Sequence, residues 1–331
     1  MSHAPPLGAL LRRYGAGSVL ACDPVDQGLL NGGYRLRTTR GRYFLKHHCD
    51  PETADPASIA RQHRATQRLA DLGVPVAPPL TGRDGRTVAV VGGRAYALHP
   101  WIDGRHRHGG QLTAEQCGRL GALLGVVHAS LERVMSRAPG SPLESADPAD
   151  TFALIDDLLC RVTRHRPVTA FDELARHRLV ERRTLLERHT DRRPPRGGAV
   201  GWVHGDFHPF NLLYQGDAPA AIVDWDRLGV QPRAEEAVRA AAIFFVRPVG
   251  TLDLAKVRAY ARAYRRTAGA PPGELAAAVH RVWWERLNDF WMLRWHYERG
   301  DSRADAQFPA ASALAVWWTR AYDAVREAFT H

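Results

Sequence analysis

Lysine is nearly missing from this chain: of 45 lysine and arginine side chains, only Lys46 and Lys256 are lysines. A compact ammonium fits between two phosphates in a tight slot where a broad guanidinium fork does not. With arginine as the default cation, Lys46 stands out. Cysteine is sparse as well. Cys22, Cys49, Cys117 and Cys160 lie far apart, without the paired spacing of zinc or redox sites. A disulfide scaffold is excluded, and the thiols are read as reduced. No apolar run approaches the roughly 20 residues that cross a bilayer. The opening MSHAPPLGALLRRYGAG carries its arginines after a short apolar stretch and has no cleavable apolar region. A cytoplasmic protein without membrane contact is expected.

The formal charge of +10 raises the question of nucleic acid. The arginines are spread along the chain, thickest between Arg161 and Arg196, and no basic stripe interleaved with aromatics accompanies them. A solvated, helix-rich basic face is the expected reading, with nucleic acid not among the partners. The 331 residues, 45% hydrophobic and 24% charged, are ample for one large two-lobed unit with substantial cores.

Two textures divide the chain. VDQGLL, YRLRTT and RYFLKHH read as strands separated by turns at Asn31-Gly32-Gly33 and Arg40-Gly41. In the third, Phe44, Lys46 and His48 share one face because side chains alternate. SIARQHRATQRLADLG has helical spacing and stops at Gly73; TVAVV and RAYALHPW read as two further strands. After Trp101-Ile102-Asp103-Gly104 the pattern turns helical, with a capping box at Thr113 and Gln116. The boundary is set at 100/101: residues 1–100 as a strand-rich lobe, 101–331 as a mostly helical one. The fold class is α+β.

The stretch VHGDFHPFNLLY, 203–214, carries the chemistry. NLLYQ and AAIVD are short apolar strands around Gly216, Asp217 and Pro219, a hairpin pattern. Antiparallel pairing brings Asn211 and Asp224 together, with Asp206 on the loop upstream. Two carboxylates and an amide oxygen make a hard-oxygen site suited to magnesium. His204 and His208 are four apart, as in zinc helices, but Gly205 and Pro209 argue against a helix there.

His204-Gly205-Asp206-Phe207-His208-Pro209-Phe210-Asn211, followed by Ile222-Val223-Asp224-Trp225-Asp226, resembles the motifs of the aminoglycoside phosphotransferase-like kinases, a superfamily that includes choline, homoserine and methylthioribose kinases and spore-coat kinase-like proteins. The resemblance implies a protein kinase-like two-lobed fold and transfer of the γ-phosphoryl of ATP, or GTP, to a small-molecule hydroxyl. Asp206 would orient and deprotonate that hydroxyl. Asn211 and Asp224 would hold Mg2+, and His204 would buttress the loop. Asp226 would be a further metal ligand or a hydrogen-bond anchor. Lys46 would contact the α- and β-phosphates beneath the turn of Asn31, Gly32 and Gly33. The adenine would lie against the backbone near Leu98, His99 and Pro100.

The chain departs from the pattern at two places. Kinases of this architecture pair the strand lysine with a helix glutamate, and the helix 58–73 has none; Gln62, or Glu52 from the preceding loop, is the expected substitute. Gly205 stands where protein kinases carry arginine, which favours a small-molecule kinase. In VHRVWWERLNDFWMLRWHYERG, Trp284, Leu287, Trp291 and Trp295 form a helical stripe read as core, and Glu285, Asn288, Asp289 and Arg294 are the substrate candidates. The basic chain favours a neutral or anionic acceptor, such as an amino acid alcohol, a sugar or a nucleoside-type antibiotic, over polycationic aminoglycosides. The alternative is a catalytically silent kinase-like binding or coat protein.

Overall fold

Strand alternation builds the first layer. The computed structural model describes residues 4–25, 31–50, 54–136, 140, 144–195, 197 and 199–331. Helix α1 (Leu7–Tyr14) precedes β1 (Val19–Val25), β2 (Gly32–Thr38) and β3 (Gly41–His48); α2 (Pro56–Asp71) and strands β4 (Ala89–Val91) and β5 (Arg94–Pro100) follow. The five strands form one sheet in the order β1-β2-β3-β5-β4, antiparallel wherever they pair. Of the expected strand VDQGLL only Val25 is described, as the end of β1; residues 26–30 lie outside the described residues. Gly32 and Gly33 are not turn residues but the start of β2, in register with His47 and Lys46.

Both faces of this sheet are covered, which the alternation in β3 makes possible. Leu45, with Leu36 and Leu98, packs against Leu10, Leu11 and Tyr14 of α1 in one apolar cluster. Lys46 and His48 point to the other face, over which α2 lays Ile59, packed against Ala95. Asp55 caps α2, its carboxylate accepting from the Ser58 amide at 2.8 Å.

The remaining elements are α3 (Ala114–Val134), α4 (Pro148–Arg164), α5 (Ala170–His189), β6 (Val200–Val203), β7 (Leu212–Gln215), β8 (Ala218–Ile222), β9 (Gly229–Pro232), α6 (Arg233–Phe244), α7 (Leu254–Ala268), α8 (Pro272–Asn288), α9 (Trp291–Arg299), α10 (Phe308–Arg320) and α11 (Tyr322–Thr330). The capping box that starts α3 is made from both sides: the Thr113 amide donates to Gln116 at 2.9 Å and the Gln116 amide to Thr113 at 3.2 Å. The expected single aromatic helix is two, α8 and α9, broken at Asp289 and Phe290. Trp284 and Leu287 on α8 are buried, whereas Trp291 and Trp295 on α9 are half-buried and meet edge to face.

The chain partitions into two compact units: Met1–Arg107 with Ala129–Arg137 and Trp202–Gly229, and His108–His128 with Ala138–Gly201 and Val230–His331. The loop and hairpin of residues 203–226 thus belong to the unit of the sheet, where the expected boundary at 100/101 put them with the helices. All four cysteines are free thiols. Among the described residues no helix is long and apolar enough to cross a membrane.

Candidate active site

The hairpin β7-β8 sets the geometry. Leu212 pairs with Ile222, so the next residue outward on each strand, Asn211 and Val223, face each other, and the Val223 amide donates to the Asn211 carbonyl at 2.9 Å. Asp224 follows directly, in the left-handed region at φ 59°, the one non-glycine residue with positive φ among those described. A non-glycine residue held there costs on the order of 1–3 kcal/mol, and such strain gathers at functional sites.

Asp206 is tied to the same end of the hairpin through Asn211. The Asn211 Nδ2 donates to the Asp206 carbonyl at 2.9 Å and lies 3.5 Å from its Oδ2. Fully buried His204 bridges the two arms: its Nε2 donates to the Val223 carbonyl at 3.1 Å, while its Nδ1 accepts from the Asp206 amide at 3.2 Å. Both ring nitrogens are thereby assigned, and the ring packs on Trp225 at 4.5 Å. His208, considered in the sequence only as half of a zinc pair, proves to be a partner of Asp206. The Phe210 amide donates to its Nδ1, which leaves Nε2 protonated and facing Asp206 Oδ2 at 3.4 Å. Burial pushes the Asp206 carboxyl up, but His208 outweighs it and holds the group below its ordinary range.

Lys46 supplies the opposite charge. Its ammonium sits 2.6 Å from Asp224 Oδ1 and 2.7 Å from Asp226 Oδ1. Burial alone would depress the lysine; the two carboxylates overcome it and hold the ammonium above its usual value. The hydrogen bond of Gln62 is not to Lys46 but to the residue that pairs with it. Gln62 donates to the backbone carbonyl of Asp226 at 2.8 Å, so the counter-charge comes from the hairpin rather than from α2. Glu52 lies outside the described residues. Asp226 also accepts from Asn31 Nδ2 at 2.6 Å, and Asn31 Oδ1 in turn accepts from the Cys49 amide at 2.9 Å. Asp226 is 11% exposed and Asp224 44%, which separates a buried anchor from an accessible carboxylate.

The donor set suits a hard divalent cation. Asn211, with its Nδ2 turned toward Asp206, has an amide oxygen to offer, and Asp224 has a second carboxylate oxygen on a half-exposed side chain; hard oxygen ligands of this kind match magnesium. Around the expected adenine position several groups are already engaged. Leu98 belongs to the core on the face opposite Lys46, and its carbonyl already accepts from the Leu80 amide at 2.7 Å. His99 is engaged with the Ala77 carbonyl at 2.9 Å, and Pro100 pairs with Tyr43.

The substrate candidates lie in the helical unit and are not gathered. Glu285 pairs with Arg239 at 2.7 Å, and Arg294 with Glu298 at 3.1 Å on the surface. Asn288 accepts from Thr151 at 2.6 Å and donates to the Trp284 carbonyl at 2.8 Å. Asp289 caps α9 through the Trp291 amide and lines a crevice. His165, Asp172 and His296 bring ligand atoms within 4.8 Å of one another. Asp172, however, already accepts from Thr169 and Tyr297 as the capping box of α5.

Comparison with known proteins bears on all of this. The profile of the phosphotransferase enzyme family matches residues 22–270. The homoserine kinase of Methylobacillus flagellatus is 26% identical over 295 residues, covering 85% of this chain and 83% of that protein. The homoserine kinase of Nitrobacter hamburgensis is 24% identical over 295 residues, covering 87% and 85%. Among solved structures, a spectinomycin phosphotransferase in complex with ADP and spectinomycin superposes with a TM-score of 0.64 at 14% identity, over 98% of this chain and 96% of that one. A microcompartment-associated aminopropanol kinase gives 0.61 at 16% identity, over 98% and 99%. These structural likenesses establish the protein kinase-like fold.

Proposed function

Because the chain belongs to the phosphotransferase enzyme family and is a small-molecule kinase, we propose that it uses Mg2+ and ATP to phosphorylate the hydroxyl of an amino acid alcohol. The observation that carries the nucleotide half of this reading is the ion pair of Lys46 with Asp224 and Asp226, at the end of the hairpin that also presents Asn211 and Asp206. Phosphoryl transfer passes through a loose transition state, so catalysis is mainly in-line positioning and neutralisation of charge.

Asn211 and Asp224 would hold the magnesium, which neutralises phosphate charge when bound. Lys46 would exchange a carboxylate for phosphate oxygens. Asp206, kept ionised beside His208, would accept the proton of the acceptor hydroxyl as its oxygen bonds the γ-phosphorus and the bond to ADP breaks. Asn31 and Gln62 would hold Asp226, and Gly33, whose added Cβ would meet the Phe44 ring at 2.8 Å, would keep the strand close.

The acceptor class rests on the homoserine kinases among the curated relatives and on the basic charge of the chain, which disfavours polycationic antibiotics. Phosphate transfer from ATP and GTP across homoserine, choline, thioribose, aminoglycosides and nucleoside antibiotics tests it. Homoserine should react with the highest kcat/KM, and preference for any other compound overturns the acceptor assignment. One observation favours a second reading, a silent nucleotide-binding protein: α2 offers Lys46 no carboxylate. Stabilisation by Mg-ATP, roughly 2.7 kcal/mol at a hundred times its Kd, without turnover of any acceptor would establish that reading instead.

A further inference from the structure

Within the helical unit, the end of α4, the first turn of α5 and α9 bring His165, Asp172 and His296 together. Among the described residues they are the one group of three or more histidine, cysteine or acidic side chains whose ligand atoms all lie within 4.8 Å of one another. His165 Nδ1 stands 3.0 Å from Asp172 Oδ1, and the two imidazole rings meet edge to face with centroids 5.5 Å apart. Bonds of about 2.0–2.1 Å to a tetrahedral zinc put neighbouring ligand atoms roughly 3.3 Å apart and imidazole centroids a little over 5 Å apart. The rings already hold that spacing. The loosest pair of ligand atoms has at most about 1.5 Å to close, and His165, with 39% of its side chain exposed, is placed to move.

The surroundings match those of metal ligands. A histidine that binds a metal donates its other ring N–H to a carboxylate or carbonyl, which fixes its tautomer and orientation. His296 Nδ1 donates to Asp305 Oδ2 at 2.8 Å, which leaves Nε2 as the ligand atom, and Phe171 stacks on the ring at 4.4 Å. Asp305 Oδ1 is buried with no hydrogen-bond partner, a costly state for a carboxylate unless positive charge lies close by. The bonds that Asp172 accepts do not exhaust it, because an ionised carboxylate has about four lone-pair sites. The Thr169 amide and hydroxyl both donate to Oδ2 at 2.7 Å, and Tyr297 donates to Oδ1 at 2.6 Å; the second lone pair of Oδ1 is left to the side of His165. Ligating carboxylates are themselves hydrogen-bonded in this way. We infer that His165, Asp172 and His296 bind one divalent transition metal of zinc's chemistry, with Asp305 orienting His296 and the two carboxylates balancing the charge. The metal replaces the proton between His165 Nδ1 and Asp172, that proton moving to Nε2 of the same ring, and water fills the fourth position. Bound there, the ion ties α4, α5 and α9 together. The site is independent of the kinase reading, since two imidazoles suit zinc and Mg2+ takes oxygen ligands.

Calorimetric titration of the full chain with Zn2+, in excess Mg2+ so that hard-oxygen sites are taken, tests the site. The wild type should bind one Zn2+ per chain, and the ion should raise its Tm. His296→Gln can still donate to Asp305 but offers no ring nitrogen; it should weaken zinc by about a hundredfold and abolish the rise in Tm. His165→Asn can still donate to Asp172 and sits at an exposed position, so it serves if His296→Gln does not fold; it should weaken zinc by about tenfold or more. Asp305→Ala leaves the three ligands in place and should cost about 10- to 100-fold through the lost orientation of His296. Co2+ in place of zinc should give the intense visible bands of tetrahedral coordination in the wild type and lose them in His165→Asn. Zinc affinity that neither ligand variant changes places the ion elsewhere and overturns the inference, as does cobalt that stays octahedral.

Discussion

At the scale of single residues, Lys46, Asp224 and Asp226 make an unequal triad. One ammonium serves two carboxylates. Against the upward push of burial, the lysine holds Asp224 below its ordinary range, while burial and the neighbouring Asp224 charge hold Asp226 above it. Removing the lysine leaves two carboxylates facing the place of the lost ammonium, and breaking a buried pair costs about 3–5 kcal/mol; the exposure of Asp224 puts Lys46→Met at the lower end. Denaturant titration of Lys46→Met should show a loss of about 3 kcal/mol, and Lys46→Met/Asp226→Asn should recover most of it with turnover still absent. Recovery of turnover with stability would reduce Lys46 to a structural role. Asp206 is a separate case because its partners are Asn211 and His208 rather than Lys46. General-base assistance is worth about 10²- to 10⁴-fold, so Asp206→Asn should lose at least a hundredfold in kcat while Mg-ATP still raises Tm. Wild-type turnover in a clean preparation of that variant would remove Asp206 from the mechanism.

At the scale of elements, the loop between β6 and β7 depends on Gly205. Its φ is 86°, and a Cβ there would stand 2.1 Å from the Arg227 carbonyl oxygen, a backbone atom that cannot step aside alone. Gly205→Ala should lower Tm by several degrees and reduce turnover with Asp206, because that residue comes next; an unchanged melting curve would show that the loop can move. The hairpin and its convergence were legible in the sequence, since Gly216 and Asp217 interrupt two apolar runs and pairing then follows from period two, although Pro219, expected in the turn, lies inside β8 opposite Tyr214. The sheet was legible for the same reason. The break between α8 and α9 was not: apolar spacing runs on through Asp289, and only the capping of Trp291 by that side chain stops the helix. The Leu98 side chain lies in the core because Leu98 pairs with Leu45, the neighbour of Lys46, and paired residues share a face. The role of Gln62 depended on contact with a carbonyl 164 residues away, and no local pattern encodes that. His208 could have been found from its spacing to His204, once the helix was excluded and the pair still asked for a purpose.

At the scale of the whole molecule, the scarcity of lysine coincides with a concentration of buried histidine. His48, His63 and His99 share the Lys46 face of the sheet, with ring centroids 6.2 Å apart for His48 and His63 and 5.7 Å for His63 and His99. Burial, reinforced by Lys46, pushes their pKa values down from 6.5 to about 2, about 3 and about 4 respectively. All three are therefore neutral in the folded chain well below the pH at which the unfolded chain protonates them. At these three positions the unfolded state binds more protons between pH 6.5 and 4, so their contribution to stability falls as pH falls. Each histidine removes about 2 kcal/mol by pH 5, with the stability fully present only above the unfolded value near 6.5. Asp206 and Asp224, whose values are lowered, withdraw their share only around and below the ordinary carboxylate range, and Asp226, Glu235 and Asp289, whose values are raised, work in the opposite direction toward the acid end, so the imidazole share is read at the upper end of the window. Urea midpoints measured from pH 7.5 to 5 should decline steeply for the wild type. His63→Gln, which can keep a hydrogen bond to Thr87 Oγ1, now 2.8 Å from the ring, should flatten that decline by about a third of the three-histidine share. A wild-type profile level down to pH 5 would mean that water or a proton reaches these rings in the folded state, and the sheet face around Lys46 would then be wetter than its packing implies.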